Sequence, residues 1–324
     1  MIEQANKIIN KGFYFIPLLK NAKNNKDSDF LTREYTKEDL IPEGNLGINP
    51  KKSNVYVVDL DSDLAIKFGN KWLPKDTLIG AREYPNGRIE KTHWYFKSDN
   101  TLEKNNKNLP AELYCDHNIV AFGTTIHKET NEPMKRYWAN DEAIQPFNKN
   151  IKELFNLINV CAKLGPNFNS CNKGGLLLDS CLHRYCKWSD EKRIEFLTDF
   201  FDVVLPGNKH NTIPQWKRIV KSNNNYESNN AGYEFLASHL GMNKKEVRAL
   251  FNTIGVVDED KARKTIRNFL KQGIDMVALR TKIIAPLLFA IDEILPEGLV
   301  LFCGRAKSMK SWTMLLVCYL VQNG

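Results

Sequence analysis

The sequence predicts an α/β chain: an α+β core, then an all-α helical bundle, then the first strand, loop and helix of a further unit. Residues 1–148 consist of short apolar runs, aromatic residues and turn signals, which indicates strands. Residues 295–312 have the sequence LPEGLVLFCGRAKSMKSW, which indicates a strand, a glycine turn and a helix start. After residue 148, apolar side chains recur at helical spacing in Ile151, Leu154, Phe155, Ile158 and Cys161.

The segment VYVVDLDSD, at 55–63, is an apolar strand that ends in acidic residues. Because side chains alternate along a strand, Asp59 and Asp61 are expected to project to the same side. Paired carboxylates suit a hard divalent cation, and Mg²⁺ is commonly held by one or two carboxylates together with substrate phosphates. The alternative is a strand followed by an ordinary acidic turn, which is the interpretation we give to Asp63.

Two later segments place polar residues at strand positions. In THWYF, at 92–96, His93 shares a face with Tyr95, and the preceding YPNGRIEK is a hairpin or loop that could open onto a site. In AELYCDHNIVAFGTTIH, at 111–127, Glu112 stands between apolar residues, and a strand and a Gly-Thr-Thr turn lead to His127. A histidine beside bulky aromatic residues is also common in packed strands without any catalytic role.

In this order, the segments resemble the bifunctional primase-polymerase branch of the archaeo-eukaryotic primase superfamily, found in plasmid and phage replication proteins. The resemblance covers roughly the first half of the chain. It departs from the family pattern in the turn before His93, which has Gly87 as its one glycine, and in the Phe-Gly-Thr-Thr sequence before His127. The matching features are GFYFIPLLKNAK (12–23), NLGIN (45–49), Asp59 with Asp61, His93, Glu112, Gly123 to His127, and Tyr137 with Trp138.

The resemblance implies nucleotidyl transfer assisted by two metal ions. Asp59, Asp61 and Glu112 would be catalytic residues that hold Mg²⁺ or Mn²⁺. One ion would activate the attacking 3′-hydroxyl, and the other would neutralise charge on the leaving pyrophosphate. The implied activity is the synthesis and extension of primers, and the implied partners are a single-stranded DNA template, a primer and an NTP or dNTP.

The resemblance also implies contacts to the incoming nucleotide. His93 would contact its phosphates and stabilise the charge that develops during transfer. His127, Arg82 and Lys91 would complete the nucleotide-binding set. An isolated basic residue is more often a solvated surface side chain, so these cations are weaker candidates than the acids.

The amino-acid composition is consistent with a protein that binds a polyanion inside the cell. The net charge is +8, and Lys and Arg gain affinity for nucleic acid by releasing condensed counterions. The opening MIEQANKIINKG is too polar for a signal peptide, and no apolar run is long enough to span a bilayer. The sequence therefore predicts a cytoplasmic protein.

The seven cysteines are expected to be reduced thiols. Several of them cluster in the sequence near a histidine, but no Cys-x-x-Cys pair is present, so buried thiols are favoured over a structural zinc site. The members of that cluster are Cys161, Cys171, Cys181, His183 and Cys186.

The predicted domains are a catalytic domain at 1–148, a helical bundle for template and primer at 149–270, and a linker with the start of a RecA-like helicase at 271–324. The helices expected at 231–241 and 243–255 also resemble a helix-turn-helix. An alternative function for the chain is therefore that of a non-catalytic replication initiator, which would use this helix pair to bind origin DNA. A polymerase without priming activity is a further alternative.

The segment at 295–312 matches a P-loop in part. A P-loop cradles phosphates with backbone amides, a lysine and a Ser or Thr that binds Mg²⁺. Met309 stands where the second glycine of the pattern belongs, and an ordinary strand-helix turn is the alternative. The candidate residues of this degenerate P-loop are Gly304, Lys307, Lys310 and Ser311.

Overall fold

A computed structural model describes residues 1–254, apart from residues 24, 26, 28, 31, 99–108, 128–129 and 226–231. It has a mixed α/β architecture in which the helices after residue 62 pack against one face of a curled, mainly antiparallel sheet and the helix Ile2–Asn10 packs with the other face. The α/β class is therefore confirmed. The predicted helicase start at 271–324 lies outside the described residues, and so do its P-loop candidates Gly304, Lys307, Lys310 and Ser311.

Nine strands within the described residues form one sheet, in the order β1-β2-β7-β8-β4-β5-β3-β6, with β9 beside β5. The pairs along this order are antiparallel, whereas β5 and β9 are parallel. The strands are β1 Phe15–Leu18, β2 Asn45–Ile48, β3 Val55–Leu60, β4 Ile79–Glu83, β5 Ile89–Lys97, β6 Ala111–Tyr114, β7 Ile119–Ile126, β8 Pro133–Trp138 and β9 Gln145–Pro146.

The helices concentrate in the second half of the described chain, as their spacing of apolar residues predicts. Within those residues, no helix is both long and apolar enough to cross a membrane. The helices are α1 Ile2–Asn10, α2 Pro50–Ser53, α3 Asp63–Trp72, α4 Lys149–Leu164, α5 Cys171–Cys181, α6 Asp190–Val204, α7 Ile213–Asn225, α8 Tyr233–Leu240 and α9 Lys244–Phe251.

Sheet and helices share one hydrophobic core, although the chain changes from strands to helices near residue 148. Trp94 and Leu60, on one face of the sheet, belong to the same buried cluster as Phe155 and Phe200 of the helices. The approach of α3 to β3 is close, because a Cβ on Gly69 would lie 2.2 Å from Cδ1 of Leu60. The helices are therefore fixed relative to the end of β3.

The sheet curls where β7 changes its partner. Phe122 and the residues before it pair with β2, whereas Gly123 to Ile126 pair with β8. Gly123 has φ +118°, a conformation that residues with a Cβ rarely adopt. The buried Asn45 side chain bridges the kink, because its Oδ1 accepts from Thr124 N–H at 2.8 Å and its Nδ2 donates to Thr124 O at 2.6 Å. The turn expected before His127 is thus a kinked strand.

We predict that Gly123→Ala destabilises the fold by about 3 kcal/mol or more, because backbone strain is added to the loss of buried hydrogen bonds. A Cβ at this position would lie 2.0 Å from Oδ1 of Asn45. Gly87→Ala is the matched control, since Gly87 has φ +80° with no atom within 4 Å of the added Cβ. It should cost only about 1–2 kcal/mol. Urea unfolding measures both, and equal losses would contradict the role given to the Asn45 bridge.

Candidate active site

Three polar residues predicted from the sequence meet on three adjacent strands. Asp59 of β3 pairs directly with His93 of β5 on one side and with Glu112 of β6 on the other. Residues paired in this way share a face, with Cβ atoms about 4.5–5.5 Å apart. Nε2 of His93 lies 3.1 Å from Oδ1 of Asp59. Sheet pairing therefore assembles Asp59, His93 and Glu112 from distant parts of the sequence.

Asp61 is held just beyond the end of β3. Its backbone N–H donates to the carbonyl of Pro110 at 3.0 Å, next to β6. The following Ser62 caps α3 by accepting from the backbone N–H of Ala65. These contacts position Asp61 in the same cleft as Asp59 and Glu112.

A β-bulge in β5 gives His93 its orientation. Arg82 of β4 pairs with Glu90 of β5, and Gly80 of β4 pairs with His93 of β5. An advance of two residues along β4 therefore matches an advance of three residues along β5. In a regular strand Glu90 and His93 would point to opposite faces, but one inserted residue puts them on the same face. Gly80 leaves room for the ring, since a Cβ there would lie 3.2 Å from Cβ of His93.

The cleft has a volume of about 780 Å³ and is lined by residues of opposite charge. Asp59, Asp61 and Glu112 line it together with Asp63. The basic residues that line it are Lys23, Arg82, Arg88 and Arg136, with His127 beside them.

Two of the predicted nucleotide contacts lie elsewhere. Lys91 pairs with Ala81 and is exposed on the opposite face of the sheet from Arg82, so its side chain does not line the cleft. His93 is buried beneath the cleft wall, with only 4% of its surface exposed. Arg82 and His127, by contrast, do line the cleft.

The carboxylates sit in strongly different electrostatic environments. Burial acts to raise the pKa of Asp59, but the charge of His93, its hydrogen bond and then the charge of Arg136 outweigh burial and hold this pKa below its usual value. For Asp61, burial and then the charges of Asp59 and Glu112 raise the pKa to about 6. Burial lowers the pKa of His93, while the charge of Asp59 and the hydrogen bond with Asp59 act to raise it. Because an ionised carboxylate can only accept, Nε2–H of His93 is the donor to Asp59.

The tautomer of His127 follows from its neighbour. The backbone N–H of Thr130 donates to Nδ1 of His127 at 3.2 Å. A neutral ring that accepts at Nδ1 carries its proton on Nε2, so Nε2–H is the available donor. The ring of Tyr84 lies 6.1 Å from that of His127, and the guanidinium of Arg88 lies 4.1 Å from the centre of the Tyr84 ring.

The residues that line the cleft but were not singled out as functional from the sequence include Tyr84, Arg88, Tyr114 and Arg136. The Tyr114 hydroxyl donates to Oε2 of Glu112, and burial followed by this bond raises the pKa of Tyr114. Alternation from Glu112 could have indicated Tyr114, which is two residues further along β6. No comparable signal marks Arg136, because its position depends on pairing with strands remote in sequence.

The acids fit divalent cations, although no three His, Cys, Asp or Glu side chains of the described chain form a preassembled metal centre. Their oxygens are the ligands that Mg²⁺ and Mn²⁺ prefer. The mutual repulsion that raises the pKa of Asp61 is a second observation, since a bound cation would relieve it. The cysteines within the described residues are buried: Cys115, Cys161, Cys171, Cys181 and Cys186.

Comparisons with known proteins give no identification. No protein-family model matches the chain, and a search of curated proteins finds no match. A function must therefore be argued from the residues of the cleft and from the order of the sequence segments.

We predict that Asp61→Asn weakens Mn²⁺ binding by at least about tenfold. Loss of a metal ligand should lower the affinity at least as much as loss of a residue that only hydrogen-bonds to a ligand. Electron paramagnetic resonance of free Mn²⁺ during a titration measures the Kd. The control is Glu83→Gln, which removes a carboxylate beside Arg82 on the other face of β4. An equal change in both variants would mean that overall charge, and not the cleft, attracts the cation.

Proposed function

We propose that the chain is a DNA-dependent primase-polymerase, a nucleotidyltransferase that makes and extends primers on single-stranded DNA in plasmid or phage replication. The observation that carries this proposal is a cleft of about 780 Å³ that carboxylates and guanidinium groups from different strands line together. Small-molecule sites typically enclose about 300–1,000 Å³, so one nucleotide is a suitable occupant. The order of sequence segments supports the same activity.

The chemistry assigns different tasks to the acidic and the basic residues of the cleft. Mg²⁺ or Mn²⁺ held by Asp59, Asp61 and Glu112 would activate the primer 3′-hydroxyl and neutralise the leaving pyrophosphate. His93 donates to Asp59 and Tyr114 donates to Glu112, so both carboxylates are oriented before substrate arrives. Preorganised groups of this kind need no rearrangement during the reaction.

The burial of His93 changes the role proposed for it. Its Nε2 is engaged by Asp59 and its ring does not line the cleft, so we assign it to positioning Asp59. Nucleotide contact falls to His127, whose Nε2–H is available, and to Arg82. Lys91 is not part of this proposal, because it lies on the other face of the sheet.

Template binding is proposed for the helices. Lys217, Arg218 and Lys221 are exposed on α7, and cations of this kind bind nucleic-acid backbones without reading sequence. The expected helix pair does occur as α8 and α9, joined through Gly241 at φ +64°. Lys244, at the start of α9, is paired with Glu234 of α8, so no specific observation favours duplex recognition by this pair. A fused helicase remains a prediction.

We predict metal-dependent nucleotide incorporation on both unprimed and primed single-stranded DNA with Mg²⁺ or Mn²⁺. Asp59→Asn and Asp61→Asn should each lower the rate by at least about a hundredfold, since a metal ion supplies several kcal/mol. Glu83→Gln is the control and should keep full activity. Gel analysis of labelled products measures the rates.

Other outcomes point to the alternatives. Products on primed template alone would indicate a polymerase that lacks priming. An absence of incorporation, together with duplex binding that survives both Asp substitutions, would overturn the catalytic proposal and favour a replication initiator.

A further inference from the structure

Arg136 is a buried cation without a carboxylate partner among the described residues. Only 6% of its surface is exposed. Its Nε donates to Oγ1 of Thr125 at 3.3 Å, and its Nη1 donates to Oγ1 of Thr92 at 3.5 Å, both long for hydrogen bonds. Burying a charge without a counter-charge costs free energy that two neutral hydroxyls offset only in part. Within the described residues, its charge is offset only at longer range, by the carboxylates of Asp59 and Asp61.

The neighbouring strands make the position still less favourable for a cation. Arg136 of β8 pairs directly with Arg82 of β4, and like charges placed opposite each other repel. Arg82 is neutralised by Glu90, whose Oε2 lies 2.6 Å from its Nε. Glu90 also accepts from the hydroxyl of Tyr84 and pairs with Arg88 at 3.4 Å. The carboxylate that neutralises Arg82 is thus already engaged by three partners.

The surroundings leave space for an anion at Arg136. That space is the cleft itself, which Arg136 lines; on its other side Arg136 pairs with Gly123, where Asn45 fills the position of a Cβ. Arg136 and Arg82 line the cleft together, on the same sheet face as Asp59. Strands β5 and β4 separate β3 from β8, so the backbones of Asp59 and Arg136 are roughly 14 Å apart. A nucleotide that reacts beside Asp59 would extend its outer phosphates toward the guanidinium pair.

We propose that Arg136, supported by Arg82, binds the outer phosphates of the incoming nucleoside triphosphate. This inference rests on the proposed function and adds the residue that fixes the polyphosphate end of the substrate. A guanidinium offers a planar fork of donors that matches phosphate oxygens in a bidentate manner, which a lysine cannot reproduce. Arg136 forms no direct ion pair among the described residues, so a bound phosphate would supply its first close counter-charge, and binding should favour polyanions.

The test uses sodium tripolyphosphate as the probe, with the full chain, in EDTA and at about 0.15 M salt to screen surface charge. Isothermal titration should show that Arg136→Met weakens tripolyphosphate binding by about tenfold or more, the loss expected for hydrogen bonds to a charged group. Arg136→Lys should recover only part of the affinity. Lys135→Met is the matched control, because Lys135 is exposed on the opposite face of the same strand.

Thermal unfolding separates binding from a structural role. Arg136→Met should fold with an unchanged or raised Tm, since an apolar side chain replaces an unpaired buried charge. In the incorporation assay it should raise KM for the nucleotide more than it lowers kcat, because the contact holds phosphates that do not react. A lowered Tm with unchanged tripolyphosphate affinity would overturn the inference.

The remaining outcomes distinguish this inference from the proposed function. Metal-dependent incorporation with a normal KM and normal tripolyphosphate binding in Arg136→Met would reject the phosphate site and keep the polymerase. The opposite result is also informative. If the unmodified chain incorporates no nucleotide but Arg136→Met abolishes its tripolyphosphate binding, the polyphosphate site is supported and the polymerase is rejected.

Discussion

The repulsion among Asp59, Asp61 and Glu112 is the constraint around which the cleft is organised. Asp59 and Glu112 are directly paired across two strands, and Asp61 follows at the strand end. Burial first, and then the charges of Asp59 and Glu112, raise the pKa of Asp61, so the group is under electrostatic stress without a cation. The hydrogen bonds from His93 and Tyr114 hold the partly buried carboxylates of Asp59 and Glu112 in place despite that stress. A site of this kind is unfavourable for folding and favourable for binding cations.

Charge is separated along the strand order of the sheet. The acids occupy β3 and β6, whereas Arg82 and Arg136 occupy β4 and β8, so one sheet face offers both signs to a single ligand. A nucleoside triphosphate with its metal ions would match this arrangement, since carboxylates would hold the cations and guanidinium groups would face the remaining phosphate charge. The complementarity supports the proposed function through geometry and does not depend on any one residue.

The helices contribute to the cleft directly. Asn159 of α4 accepts the backbone N–H of Ala111 at 2.8 Å, next to Glu112 on β6. Ala162 and Pro166 line the cleft, and α3 begins two residues beyond Asp61. Because sheet and helices share one core, movement of the helices would disturb the carboxylates. We infer that template bound along the helices would be held in a defined position relative to the cleft.

The sequence by itself determined the α/β class, the change from strands to helices, and the acids that meet at one edge of the sheet. These follow from local periodicity and from the rarity of acids at the ends of apolar strands. Tertiary structure decided the rest. The bulge in β5 orients His93, the kink at Gly123 turns a predicted turn into strand, and strand pairing brings Arg136 to Arg82. Each depends on register between residues remote in sequence, and a shift of one residue reverses every side chain, so no local pattern could specify them.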